Sequence, residues 1–432
     1  MRLPTELGRR IIFGVRLAKE NNLSIIRRLL CVRGLRAFAD GYVSLLLPVY
    51  LLSLGMTPFQ VGALATATLV GSGALTVIVG LYAWKFDYRS LLIAASLIMC
   101  TTGLGFAFLQ NFWPLVMVAI VGTLNPSNGD VSVFLPLEHA VLSINSNDQD
   151  RTHSFAHYSL VGALLAAVGA YAAAVPDLLV ARLHVTTNLA LQAMFLLYAA
   201  LGLAAAAIYS TIPEERESTH RKPAPLKQSK AAVLKLACLF CIDSFGGGFV
   251  VQSMIAMWMF QKFQLSTLAA AGIFFWTGLF SAFSYLIAVR IAKKIGLVNT
   301  MVFTHLPSSL CLVAMPFAPD ICWVIALLLV RGALSQMDVP TRSSYVMAIV
   351  PPEERAAAAA LTSVPRSLAA SAGPILAGYL LGRSNFGWPL IVAGVLKIIY
   401  DLLLLAMFRA VKPPEEEGTI CGGTQSGTES NS

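Results

Sequence analysis

Hydrophobic residues in this chain come in runs of about 20, separated by short polar breaks, and the rhythm repeats twelve times over 432 residues. Wound as a helix, a run of that length matches the roughly 30 Å hydrocarbon core of a bilayer. The pattern predicts spans near 33–54, 59–83, 90–109, 113–137, 155–175, 188–210, 234–260, 267–289, 297–317, 321–349, 362–382 and 388–408. The expected fold is therefore all-α, a polytopic membrane protein with 12 transmembrane helices. One long polar interior stretch, residues 211–233, divides the spans six and six. It predicts an N-terminal six-helix bundle over 33–210, a linker over 211–233 and a C-terminal six-helix bundle over 234–410. Residues 1–32 mix basic and aliphatic positions at helical spacing, which predicts a separate amphipathic helix lying on the leaflet. Residues 411–432 are polar and rich in Gly and Ser, and are expected to be disordered.

Composition agrees. The chain is 57% hydrophobic and 12% charged, against about 25% charged in soluble domains. No cleavable leader is visible in the basic, charge-broken N-terminus. The net charge of +9 raises the question of a nucleic-acid partner, and its placement answers it. Twenty-five of the 31 Lys and Arg fall on the side that holds both termini, while Arg182, Lys262 and Arg383 fall on the other. That asymmetry is the positive-inside pattern. It predicts cytoplasmic termini and no nucleic-acid partner; the expected location is a plasma membrane of bacterial inner-membrane type. Trp113, Trp323 and Trp388 open spans at the expected outer interface and Trp258 closes one there, an aromatic belt. Seven cysteines lie mostly in or beside spans, so no structural disulfide is expected. Cys238 and Cys241 read as two small residues on one helix face.

The halves look like repeats. A shift of 204 residues places Pro340 on Pro136, Arg355 on Arg151, Leu368 on Leu164 and Gly373 on Gly169 without a gap. A shift of 203 places Asp243 on Asp40. The stretch DVPTRSSYVMAIVPPEERAAAAALTSVPRSLAASAGPILAGYLL (338–381), together with DSFGGGFVVQS (243–253) and FLPLEHAVLS (134–143), resembles the major facilitator superfamily, in particular bacterial efflux-type permeases. The resemblance covers roughly 33–410 and implies two pseudo-symmetric six-helix bundles, a central cavity and alternating access. It also implies a monomer. Departures stand beside it. Trp84 occupies the place of an expected acid in GLYAWKFDYRS, span 4 lacks the arginine of drug–proton antiporters, and the Gly-Pro signature expected in span 5 occurs in span 11 at Gly373–Pro374.

Charges inside spans are the candidates for chemistry, because each costs several kcal/mol unless paired or wet. Arg331 lies about 15 Å inside span 10, suited to a carboxylate or phosphate. The plainer reading is a permanent salt bridge with a buried acid. Asp243, before Gly246–Gly248, and Asp40 are the proton-coupling candidates, although Arg36 one turn away explains Asp40 as an ion pair. The NPSNGD segment of span 4 predicts a kink that turns Asn125, Asn128 and Asp130 toward substrate, with Asp338 in the corresponding part of span 10. Glu138 and Arg342 share the repeat register at the cytoplasmic ends of spans 4 and 10, where they can latch the gate or simply be solvated. Lys397 and Asp401, four apart, read as a neutralising pair, and His157 and His305 as core histidines, with a proton relay through His157 and Tyr158 as the alternative. His and Cys show no metal-ligand spacing, and no phosphate loop or nucleophile elbow appears. No metal, cofactor or enzymatic activity is expected.

The expected function is secondary active transport of a small organic solute, coupled to protons, with export favoured over import. A uniporter or importer of an organic anion using Arg331 is the near alternative. A non-transporting receptor or scaffold is the distant one.

Overall fold

The computed structural model describes residues 5–82, 85–127, 132–145, 151–213, 229–351 and 354–409, with the side chains of 5–22, 81, 151–153, 289, 293 and 356 excepted. Among the described residues there are seventeen α-helices and no strand. The N-terminal half comprises α1 (Thr5–Ser53), α2 (Pro58–Tyr82), α3 (Tyr88–Phe108), α4 (Phe112–Val121), α5 (Phe134–Asn145), α6 (Arg151–Ala172), α7 (Val175–Leu183) and α8 (Thr187–Ser210). The C-terminal half comprises α9 (Lys230–Phe249), α10 (Gln252–Phe263), α11 (Thr267–Ile295), α12 (Leu297–Ala314), α13 (Ile321–Ser335), α14 (Asp338–Ala348), α15 (Arg355–Ser371), α16 (Gly373–Arg383) and α17 (Trp388–Phe408).

Ten of the twelve spans are long and apolar enough to cross a membrane on those grounds alone. The other two are broken or polar for reasons the sequence carries. Span 4 is α4 and α5 with non-helical chain at Gly122–Ser127 between them, because Pro126 cannot donate and Asn125 bonds locally. Span 11 is α15 and α16, and α15 carries Arg366 and a row of Ser and Thr. Short polar turns are closed by side-chain caps. Asp87 accepts from Ser90 N at 2.8 Å, and Asp320 accepts from Cys322 N and Trp323 N at 2.9 and 3.2 Å.

Several boundaries differ from expectation. The N-terminal segment is not set apart: one helix runs from Thr5 to Ser53 with no break at residue 32. Span 4 continues to Asn145, so Glu138 sits inside α5 on the face shared with Phe134, Leu137 and Val141, and is 0% exposed. Span 10 breaks at Gln336–Met337, which puts Arg342 inside α14 rather than at a solvated end. Trp258 is fully buried and its indole N–H donates to Asn385 O at 3.1 Å, so it is core and not belt. Trp113, Trp323 and Trp388 are exposed, as an interfacial belt requires.

The packing repeats between halves. α1 packs on α6 and α8 as α9 packs on α15 and α17, and α3 packs on α8 as α12 packs on α17. The glycines matched by the repeat play the same part. A Cβ at Gly169 would come within 2.0 Å of Phe38 O, and one at Gly373 within 2.2 Å of Gly248 C. The halves meet where α2 lies along α16 and α6 along α11. A Cβ at Gly62 would come within 2.3 Å of Pro374 O, and one at Gly378 within 2.4 Å of Pro58 O. Thr66 accepts from Ile375 N at 3.0 Å, and the Tyr171 and Phe275 rings meet edge to face. These contacts lie toward the end of the bundle opposite the chain termini, here called the distal end.

Candidate substrate cavity and buried charge clusters

A cavity of about 870 Å³ lies between the halves. Its walls come from the parts of α1, α5, α6, α14 and α15 nearer the termini, and the seam of α2 with α16 and α6 with α11 closes the distal end. The cavity therefore opens toward the end that carries the termini. Its floor is the level where two spans break. Ser253 N, in the first turn of α10, donates to Pro126 O at 3.2 Å, so the break in span 4 supplies an acceptor that a helix start needs.

Three charged side chains on the wall matter most: Arg33, Asp40 and Arg331. Arg331 is half-buried, makes no ion pair among the described residues, and its Nε has no hydrogen-bond partner. The salt bridge that the plainer reading required is not made with any described acid. Arg33 sits 5.0 Å over the Tyr158 ring and lies against the backbone at Gly162, where a Cβ would come within 2.4 Å of Nε. Its role was not anticipated, though Arg33 and Arg36 share one face just inside the first span, which is the signal that marks it.

Behind the wall each half holds a charge cluster. In the N-terminal half Glu138 accepts from Arg36, Tyr158 and Tyr209, and Arg36 also stacks 4.0 Å over the Phe134 ring. Arg36 is thus engaged by Glu138, and Asp40 is hydrogen-bonded by Asn125 with Arg33 and Arg36 nearby. In the C-terminal half Asp243 accepts from Lys397 at 2.7 Å and from Arg342 at 2.9 Å, and Arg342 also pairs with Asp338. His305 Nδ1 lies 2.9 Å from Asp401, and its Nε2 lies 3.6 Å from Asp243.

This arrangement corrects several expectations. Asp243 does not line the cavity: it is 4% exposed and enclosed by Lys397 and Arg342. Asp338 does not face it either, because at 3% exposure it is spent on Arg342. Asn125, 3% exposed, is turned inward, accepting from Ser127 N and Oγ at 3.1 and 2.7 Å. Asn128 and Asp130 lie outside the described residues. Glu138 and Arg342 are not brought together, since each is partnered within its own half. Lys397 and Asp401 do not neutralise one another, because Lys397 reaches across to α9 and Asp401 to α12. His157 is exposed.

Comparison with known proteins agrees with the architecture. Residues 29–321 and 236–420 match the family model of the Major Facilitator Superfamily. An uncharacterized membrane protein of Saccharomyces cerevisiae is 28% identical over 87% of this chain and 92% of its own length. The nucleoside transporter NupG superposes with a TM-score of 0.68 at 14% identity, covering 89% of this chain and 99% of that one. The human organic anion transporter MFSD10 superposes with a TM-score of 0.61 at 16% identity, covering 88% and 99%. Twelve spans in two matching halves, a cavity between them and a family match across most of the length converge: the chain belongs to the Major Facilitator Superfamily, and it is a membrane transporter and not an enzyme.

Proposed function

We propose that this transporter carries a small organic anion by alternating access, with Arg331 as the cation that anchors it. One observation carries the reading: a guanidinium on the cavity wall with no acid paired to it among the described residues. A cation at membrane depth is costly when unpaired, and a carboxylate or phosphate on the solute supplies the missing charge with a bidentate contact. Arg33 adds a second cation from the opposite half, against Asp40 on the same wall. The fold shared with an organic anion transporter is consistent with this.

The basic asymmetry of the loops supports a cytoplasmic open end. On that reading the cavity is inward-open, and the distal seam is the contact that parts when it opens outward. A latch between Glu138 and Arg342 would require both to leave their present partners, so it is not part of this reading. Neither carboxylate expected to exchange protons stands alone, and proton linkage has to be read from a whole cluster.

The test is the melting temperature of the purified full-length protein against organic anions, lipophilic cations and neutral sugars. A ligand present at 100 times its Kd adds about 2.7 kcal/mol to the state it binds. Stabilisation by anions that disappears in Arg331→Ala is expected. Stabilisation only by cations or sugars, or anion stabilisation that survives Arg331→Ala, rejects the proposal.

A further inference from the structure

The two buried clusters differ in their charge count. Around Glu138 the acids Glu138 and Asp40 face the bases Arg36 and Arg33. The sum is zero without any further proton. Around His305 the acids are Asp243 from α9, Asp338 from α14 and Asp401 from α17, and the bases are Arg342 from α14 and Lys397 from α17. Among the described residues, three carboxylates against two permanent cations leave one negative charge in a site where every member is at least nine-tenths buried by residue. His305, on α12, lies between two of those carboxylates, with one ring nitrogen toward each. Tyr400 also faces it: its ring meets the imidazole edge to face at 5.9 Å, and its hydroxyl has no hydrogen-bond partner among the described residues. On α13, Arg331 lies by Cys311, nearly two turns along α12 from His305, and is not a member.

We propose that this cluster is the proton-carrying site of the transporter, holding one proton shared between His305 and Asp401. With that proton the six groups sum to zero. Without it an uncompensated charge stays in a buried site, which is the arrangement buried ion pairs avoid. Each imidazole nitrogen faces one of the two carboxylates, so a proton taken up on the ring lies against an acid on either side. The step is acid–base only: imidazolium hydrogen-bonded to the Asp401 carboxylate gives imidazole and a proton to water.

The cluster has one door to the cavity. Arg342 belongs to the cluster and also lines the cavity wall. An anion that engaged Arg342 from the cavity would draw on the same guanidinium that neutralises Asp243 and Asp338. The cluster would then hold its proton more firmly. Anion and proton reinforce each other, which is the sign of symport; that sign, unlike the proton site itself, rests on the anion reading above.

Charge counting makes an unusual prediction for the full-length protein in detergent with no ligand added. His305→Gln leaves the net charge at minus one and is expected to lower the apparent melting temperature by at least about 5 °C at pH 7.5. Asp401→Asn removes the excess acid and is expected to change it by less than half as much. The double variant His305→Gln with Asp401→Asn is neutral again and should recover most of the loss. Wild type should show a pH-dependent melting temperature between pH 6 and 8.5 that is flattened in the double variant. Additive losses, or failure of the double variant to fold, would mean a packed polar core and overturn the proposal, as would equal pH profiles. Since no ligand is present, the failure of Arg331 as an anion site leaves every one of these outcomes unchanged.

Discussion

In the N-terminal half Glu138 gathers Arg36, Tyr158 and Tyr209, and two acids meet two bases. In the C-terminal half Asp243 gathers Lys397, Arg342 and the edge of His305, and three acids meet two permanent cations. The scaffold is the same: α1, α6 and α8 on one side, α9, α15 and α17 on the other. One copy of the repeat balances its charges without an added proton, with Arg33 and Asp40 on the cavity wall, while the other, on our proposal, needs one proton to balance. A duplicated fold can thus divide its labour without changing its packing.

The comparison can be broken at its strongest point first. Glu138→Ala should strand the Arg36 guanidinium and cost about 3–5 kcal/mol, read as lost expression or a large drop in melting temperature. The drop should be the same at pH 6 and pH 8. Lys397→Met removes one of the two cations at Asp243, with a loss comparable in kind but expected to shrink at pH 6, where the cluster can take up protons instead. Equal pH dependence in these two variants would erase the distinction between the halves. At the seam, Gly378→Ala forces a methyl to within about 2.4 Å of Pro58 O. A cost of about 1–3 kcal/mol to the closed distal end should appear as greater labelling of a cysteine placed at that end. The smallest effect is expected at Arg331→Ala, within about 0.5 kcal/mol of wild type without ligand. A loss as large as that of Glu138→Ala would show that Arg331 has a protein partner after all.

The spans and their division into two halves were legible because a bilayer imposes length and apolarity on each run independently. The break in span 4 was legible too, since Pro126 and its neighbours act on the local backbone. Arg331 could be singled out because depth along a span is a local count. Pairing was not legible. Arg36 finds Glu138 at 102 residues' remove and His305 finds Asp401 at 96. Such partners depend on which helices adjoin, whereas the i,i+4 spacing of Lys397 and Asp401 suggested a local pair that the true neighbours outcompete. Trp258 misled in the same way: its place near a span end fits a belt, yet the carbonyl of Asn385 draws it into the core.

The distal seam is built from backbone carbonyls against glycine, one hydroxyl and two rings. Contacts of that kind are short-ranged and carry no net charge, so ionic strength has almost nothing to screen there. Opening at the seam should consequently proceed at a rate indifferent to added salt. A salt-dependent turnover in this protein would locate its slow step at the basic mouth that carries the termini and not at the seam.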